Sequence, residues 1–388
     1  MSLAAFDASV STDYGAEQGA MSAYLRLGEA RAHALGNRGP IRFGADGRLA
    51  ADILEAYWRL GFYVFTGVLG ADELADLERD IDGVVERAPV CAGAGFDGHG
   101  RPALGRDCQA PTFFYARPLG DPFGGTALAN GRHPVRMFEP TPPADAPDEV
   151  MYLFLGSLQF SDACLRVYGH PGLLAVAAAV NGEDFTPFNE AVWVKKPGMG
   201  ASVAWHQDGV THWDSPALDA GTHGFNFMAQ LYGCTAANGV WVVPGSHTRG
   251  KLDIAALVAA AGSERLPEAV PIICAPGDVA ICNRQAVHGS FANTSRDTRV
   301  TINFGFHRRA SVLDVAAGGV HNAPAVYDAA RIRRRARLIA YAIDARRQRF
   351  PDEQPYHYQP LADEMARWRW NEAARADIHD YNLLDLSI

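Results

Sequence analysis

The chain has 388 residues, 48% of them hydrophobic and 20% charged, which is enough apolar material for a large buried core. Its formal net charge of −9 argues against nucleic acid as a partner, because such binding depends on phosphate neutralisation by Lys and Arg, and leaves a small-molecule substrate as the expectation. No apolar run approaches the roughly 18 to 20 residues of a membrane span, and the N-terminus lacks the basic-then-apolar pattern of a secretory signal, so the expected setting is cytoplasmic, without a membrane partner.

Residues 1–45 show little periodicity beyond a short helical pattern around Ala23–Leu35 and read as an N-terminal arm. From Arg48 to Leu60 the apolar residues Leu49, Ile53, Leu54, Tyr57 and Leu60 recur at helical spacing. Gly61 stops that helix before a strand-like run, Phe62–Phe65. A second helix starts near Ala71, with Asp72 and Glu73 in a first turn where the helix dipole favours acids. Between Pro89 and Pro147 the sequence is rich in Gly and Pro, with no sustained period. Insertions of this length in compact enzymes are often lids or binding loops. Ser161–Tyr168 and Pro171–Val180 read as two further helices.

From Phe185 the pattern changes to short β-prone runs bounded by turn residues, as in an antiparallel sandwich or barrel. The runs are Glu190–Val194, Ser202–Trp205, Phe225–Tyr232, Val240–Val243, Ala269–Cys274, Asp278–Cys282 and Arg299–Phe306. Beyond Arg309 lie a polar linker and an arginine-rich amphipathic segment, Arg331–Phe350, read as a helix with a solvated basic face. The six cysteines (Cys91, Cys108, Cys164, Cys234, Cys274, Cys282) form no CxxC pair and read as reduced, mostly buried thiols.

The chemistry concentrates in the β block. Trp205-His206-Gln207-Asp208 places an imidazole and a carboxylate two residues apart, and on a strand such residues point to the same face. His288, in the short segment Ala286–Ser290, is a candidate third ligand. Two histidines and one carboxylate on one face of a metal leave positions open for a co-substrate and dioxygen, as in non-haem iron(II) oxygenases. An HxD pair taken alone is a weak signal, because His and Asp also meet in structural hydrogen bonds.

The surrounding order of features resembles the phytanoyl-CoA dioxygenase family of iron(II)/2-oxoglutarate oxygenases. Lys195-Lys196-Pro197-Gly198 precedes Trp205-His206-Gln207-Asp208; Asn238-Gly239 and the turn Pro244-Gly245-Ser246-His247 follow. Gly277-Asp278, His288, Ser290, Asn293, Ser295 and Arg299 complete the series. The likeness is close from about Phe185 to Phe306 and looser from Leu49 to Val85. It implies a mainly β fold with flanking helices, built on a double-stranded β-helix (a jelly roll, cupin-like). It also implies Fe(2+) as metal, with 2-oxoglutarate and dioxygen as co-substrates and succinate as a product.

On this resemblance His206, Asp208 and His288 are the expected metal ligands and catalytic centre. Arg299 is the expected partner of the far carboxylate of 2-oxoglutarate, since its planar fork suits two parallel hydrogen bonds. Ser290 and Lys195 are expected to assist it, and Arg296 is the competing arginine. Trp213 and Phe304 are expected to line the substrate pocket. His247 is expected to stabilise its turn, and neither His212 nor His223 is placed among the ligands. Retention of a carboxylate at Asp208 points to hydroxylation or another hydrogen-abstraction outcome rather than halogenation, in the manner of secondary metabolism. Two other readings stay open: a metal- or ligand-binding jelly roll without turnover, and a zinc hydrolase. The expected organisation is one oxygenase domain over 1–388. It comprises an arm (1–45), a helical entry (46–184) with an insert at about 89–147, a catalytic core (185–310) and a C-terminal helical extension (311–388). Substrate identity and oligomeric state are not readable.

Overall fold

The computed structural model describes residues 13–208, 224–317 and 325–385. Its α-helices are α1 (Gln18–Ala34), α2 (Ala51–Leu60), α3 (Ala71–Arg87), α4 (Ser157–Phe160), α5 (Asp162–Tyr168), α6 (Pro171–Asn181), α7 (Ile254–Ala261), α8 (Ala329–Arg349) and α9 (Glu372–Asp377). Its strands are β1 (Arg38–Gly39), β2 (Phe62–Phe65), β3 (Phe113–Ala116), β4 (Val150–Leu155), β5 (Phe185–Lys195), β6 (Val203–His206), β7 (Phe225–Gln230), β8 (Trp241–Val242), β9 (Val270–Pro271), β10 (Val279–Asn283), β11 (His288–Ser290), β12 (Arg299–Arg308), β13 (Ala316–Ala317) and β14 (Ala325–Val326).

Two sheets make the jelly roll. The larger runs β1-β2-β10-β7-β12-β5-β4-β3 and the smaller β6-β11-β8-β9. Strand parity divides the larger sheet into two faces. On β12, Val300, Ile302 and Phe304 join an apolar core shared with α2, α3, α5, α6 and α8, whereas Arg299, Thr301 and Asn303 line a cavity on the opposite side. On β7 the same alternation sends Phe225 and Phe227 to the helices and Asn226 and Met228 to the cavity.

The helical entry follows from its pattern. Ile53, Ala56, Tyr57 and Leu60 form the buried stripe of α2, and Gly61, at φ +82°, ends the helix in a left-handed conformation that a side chain would strain. In α3 the Glu73 carboxylate accepts the Gly70 N–H at 3.2 Å, which satisfies one amide left open at the helix start.

Three expectations need correction. Residues 18–34, read as part of an N-terminal arm with a short helix, form the longer helix α1, which covers the outer face of the smaller sheet. There Tyr24 stacks on Trp241 at 4.5 Å, and a Cβ on Gly28 would come within 2.2 Å of the Trp241 ring. The arginine-rich segment is not simply a solvated face: α8 buries Ile332, Leu338, Ile339 and Ile343, and draws in Arg335 and Arg346. Those two cations are matched, Arg335 by Asp385 and Arg346 by Glu73 and Glu353, while Arg333, Arg334 and Arg347 keep to the exposed side. Finally, the apolar runs at Val240–Val243 and Ala269–Cys274 contain strands of only two residues, since the pairing of β8 with β9 is confined to Trp241–Pro271 and Val242–Val270. The six cysteines are all free thiols, four of them buried. Among the described residues no single helix is long and apolar enough to cross a membrane.

Candidate metal centre and cavity

The jelly roll brings two chain-distant segments, which carry three candidate ligands, to one point. His206 ends β6 and lies directly opposite His288 on the antiparallel neighbour β11, so their rings stand 4.1 Å apart. The strand stops at His206, and Asp208 sits in the bend that follows rather than on the strand. Gln207 faces the other way, bonded to the carbonyls of Gly250 and Gln285. One side chain is thereby anchored outside while its neighbours reach the same interior point. Candidate ligand atoms of His206, Asp208 and His288 all lie within 4.8 Å of one another, and all three residues are buried.

The donor set fits a metal. His206 Nδ1 lies 2.8 Å from the Ala204 carbonyl and His288 Nδ1 lies 2.9 Å from the Ala286 carbonyl. A carbonyl only accepts, so each Nδ1 carries the proton and each Nε2 keeps its lone pair toward the centre. The two Nε2 atoms face Asp208 at 3.5 and 3.8 Å. Asp208 Oδ1 is buried and has no hydrogen-bond partner among the described residues, as suits an atom meant for a cation. Burial pushes the His206 imidazole well below its usual range, and His288 beside it adds to this, which favours the neutral form a ligand needs. Burial opposes ionisation of Asp208, but Arg132, His288 and Arg284 outweigh it and hold its carboxyl below the ordinary value.

The second cluster is cationic. Lys195 and Arg299 are register partners on β5 and β12, and both are buried. Like charges directly opposite each other destabilise a sheet, so the pair calls for an anion. Arg299 is fixed in plane, its Nε donating to Thr301 Oγ1 at 2.8 Å and its Nη1 to the Asn238 carbonyl at 3.1 Å. Lys195 Nζ donates to Ser290 Oγ at 2.9 Å and to the Phe291 carbonyl at 2.5 Å. Ser290 accepts there, which leaves its own O–H free to donate to a ligand. Burial and then Arg299 pull the Lys195 ammonium well below its usual range. Both cations line the same cavity as His206, Asp208 and His288, whereas Arg296 is exposed on the preceding turn.

The remaining expectations divide. Phe304 does not reach the cavity: it is packed against Tyr168 at 5.4 Å and Phe227 at 5.4 Å on the helical face, because strand parity turns it away from Asn303. His247 bonds the Trp58 carbonyl through Nε2 at 2.9 Å and ties its turn to the end of α2, away from the three-residue centre. Trp213, His212 and His223 lie outside the described residues.

The cavity also contains residues that sequence reasoning missed. Arg132 and His133 enter from the long insert, with Phe123, Asn189, Trp193, Asn226 and Met228 around them. Arg132 Nη2 lies 3.4 Å from Asp208 Oδ1. On the other side, Arg284 Nε lies 3.8 Å from Asp208 Oδ2, its guanidinium 3.6 Å above the Phe188 ring and its Nη1 donating to His307 at 2.7 Å. Strand parity on β7 is a signal that could have found Asn226 and Met228. The aperiodic insert carries no such signal for Arg132 or His133.

The profile of the family described as phytanoyl-CoA dioxygenase (PhyH) matches residues 57–301, more than half of the chain. The chain belongs to this family. As a phytanoyl-CoA dioxygenase family member it is an iron(II)- and 2-oxoglutarate-dependent dioxygenase that uses dioxygen as its second co-substrate. Its similar solved structures include AviO1 from Streptomyces viridochromogenes Tue57, at 23% identity over 66% of this chain and 94% of that one, with a TM-score of 0.45. EctD from S. alaskensis, solved with 2-oxoglutarate and 5-hydroxyectoine, is 18% identical over 70% of this chain and 81% of its own, with a TM-score of 0.48. The epimerase SnoN from nogalamycin biosynthesis is 18% identical over 65% and 77%, with a TM-score of 0.42. No curated protein matches the chain.

Proposed function

We propose that this family member hydroxylates a small organic substrate, with His206, Asp208 and His288 as the iron ligands and Arg299 as the anchor for the far carboxylate of 2-oxoglutarate. The observation that carries the reading is the pairing of two clusters in one cavity. Two imidazoles of fixed tautomer meet a buried carboxylate, and two buried cations that repel each other lie beside them. The first suits a divalent cation, and the second suits a dianion that reaches it.

Bound iron(II), with 2-oxoglutarate and dioxygen, supplies an oxidant able to remove a substrate hydrogen, with succinate and carbon dioxide as the co-products. The chain's own residues do the positioning. Ala204 and Ala286 carbonyls hold the imidazole planes, Asn226 Nδ2 donates to Asp208 Oδ2 at 3.3 Å, and Thr301 with Asn238 fixes Arg299. Ser290 and Lys195 are assigned to the same carboxylate as Arg299. The carboxylate at Asp208 supports hydroxylation over halogenation, because it fills a coordination position that a halide would otherwise need. The whole described chain is proposed to act as one domain, since a single apolar cluster draws side chains from Leu49 to Tyr381.

Anaerobic protein given iron(II) and 2-oxoglutarate is expected to develop the weak visible charge-transfer band of a chelated keto acid. Under air it is expected to release succinate. His206→Ala or Asp208→Ala should remove both signals together with stoichiometric iron. Tight zinc binding with metal-dependent hydrolysis and no band would overturn the reading, and succinate release that survives His288→Ala would overturn the ligand assignment.

A further inference from the structure

Arg132 belongs to the long insert, yet its side chain is only 7% exposed. While Nη2 approaches Asp208, Nε and Nη1 are shielded from water and have no hydrogen-bond partner among the described residues. Buried guanidinium nitrogens without an acceptor are costly, and proteins rarely leave them so without a use. Both ring nitrogens of the adjacent His133 are in the same condition, its ring stacked on Phe123 at 5.0 Å and tilted against His206 at 4.2 Å. The two residues line the cavity next to the proposed iron ligands.

Charge counting leads to the same place. Among the described residues, Arg132, Arg299 and Lys195 line the cavity and Arg284 stands behind Asp208, which is the single carboxylate in that lining. Asp121, a second buried carboxylate, acts on Lys195 and accepts from the amides of Phe123, Gly124 and Met137, so cationic groups still outnumber carboxylates here, four to two. Iron(II) and the 2-oxoglutarate dianion cancel each other, so loading the site leaves this surplus in place. The cavity that Arg132 and His133 share also has an apolar part, Phe123 against the His133 ring together with Trp193, Val203 and Met228, beside the amides Asn189, Asn226 and Asn303.

We propose that Arg132, with His133 beside it, is the anion-recognition point for the substrate, and that the substrate is a small organic carboxylate with an apolar body. The inference rests on the iron and 2-oxoglutarate reading above, since it takes Arg299 as occupied by the co-substrate. A carboxylate is the matched ligand because it offers the partnerless guanidinium N–H groups a charge-assisted acceptor. The insert is then a specificity element and not a surface excursion.

The test is calorimetric titration of the anaerobic protein, loaded with iron(II) and saturating 2-oxoglutarate. Its probes are carboxylates paired with their neutral amides: propionate and propionamide, benzoate and benzamide, phenylacetate and phenylacetamide. At least one carboxylate is expected to bind about tenfold or more tightly than its amide, as a charge-assisted bond lost in a buried site implies. The charge-transfer band should persist throughout, which shows that 2-oxoglutarate has not been displaced. Arg132→Gln should erase the preference and Arg132→Lys should retain part of it. A band with no preference in any pair, or a preference unchanged in Arg132→Gln, would overturn the inference while leaving the iron reading intact. Tighter binding of phenyl phosphate than of every carboxylate would overturn the assigned class. Absence of the band from the parent protein would sink the iron reading itself, and this inference with it.

Discussion

Lys195 and Arg299 show how much a single register position can decide. In sequence they are 104 positions apart and each could sit on a solvated surface; in the fold they are opposed on β5 and β12, buried and mutually repulsive. Such a pair is tolerable when an anion joins it, which is why Arg299 is assigned to 2-oxoglutarate rather than to structure. Arg299→Ala is accordingly expected to raise the 2-oxoglutarate concentration needed for half-maximal succinate release by roughly tenfold to a hundredfold, the loss typical of a charge-assisted pair. Bound iron should be unchanged by that substitution. Parallel loss of iron would place Arg299 in the scaffold instead. At this scale the sequence was informative where spacing carried meaning: His206, Asp208, His288 and Arg299 were all picked out and all line one cavity. It failed at Phe304, where the residue type was right for a pocket but strand parity turned the ring to the helical side.

Among the elements, the insert that follows α3 is the one whose role its sequence conceals. It opens on a turn pinned by Asp97, whose buried carboxylate accepts from Arg87 Nε at 3.0 Å, from Arg101 Nε at 2.7 Å and from the amides of His99 and Arg101 at 2.9 Å each. Burial opposes ionisation here, yet the Arg101 guanidinium and the two amides win and bring the Asp97 carboxyl down to about 2 from an ordinary 3.8. A folded value below the unfolded one means that the stabilisation is full above about pH 4 and is lost as pH falls toward 2. Urea midpoints compared at pH 5 and pH 3 should therefore fall less for Asp97→Asn than for the parent. An equal fall in both would show that Asp97 does not anchor the turn. The helices α2, α3, α5 and α6 were legible from period and caps. The insert was not, because its order comes from hydrogen bonds and ion pairs that leave no periodic trace.

On the scale of the whole molecule, the C-terminal extension is built into the helical layer. Helix α8 approaches the end of α5 so closely that a Cβ on Gly169 would lie 2.4 Å from the Ala342 backbone. Backbone cannot yield as a flexible side chain can, so Gly169→Ala is expected to destabilise by about 1–3 kcal/mol, the usual cost of overpacking. Thermal unfolding checks this, with iron ligation expected to survive at low temperature. An unchanged midpoint would mean that α8 adjusts freely and is only loosely joined to the rest.

By itself the sequence determined most helix and strand types, because these are written in short-range period, while its resemblance to the family supplied the jelly-roll expectation and the residues proposed to hold iron and 2-oxoglutarate. The tertiary structure decided which face each strand turns to the cavity, that α1 closes the smaller sheet, and that Arg132 and His133 come from a distant insert to stand beside Asp208. Those features depend on contacts between segments far apart in the chain. Buried charge without a partner is visible once such contacts exist, and no local pattern encodes it.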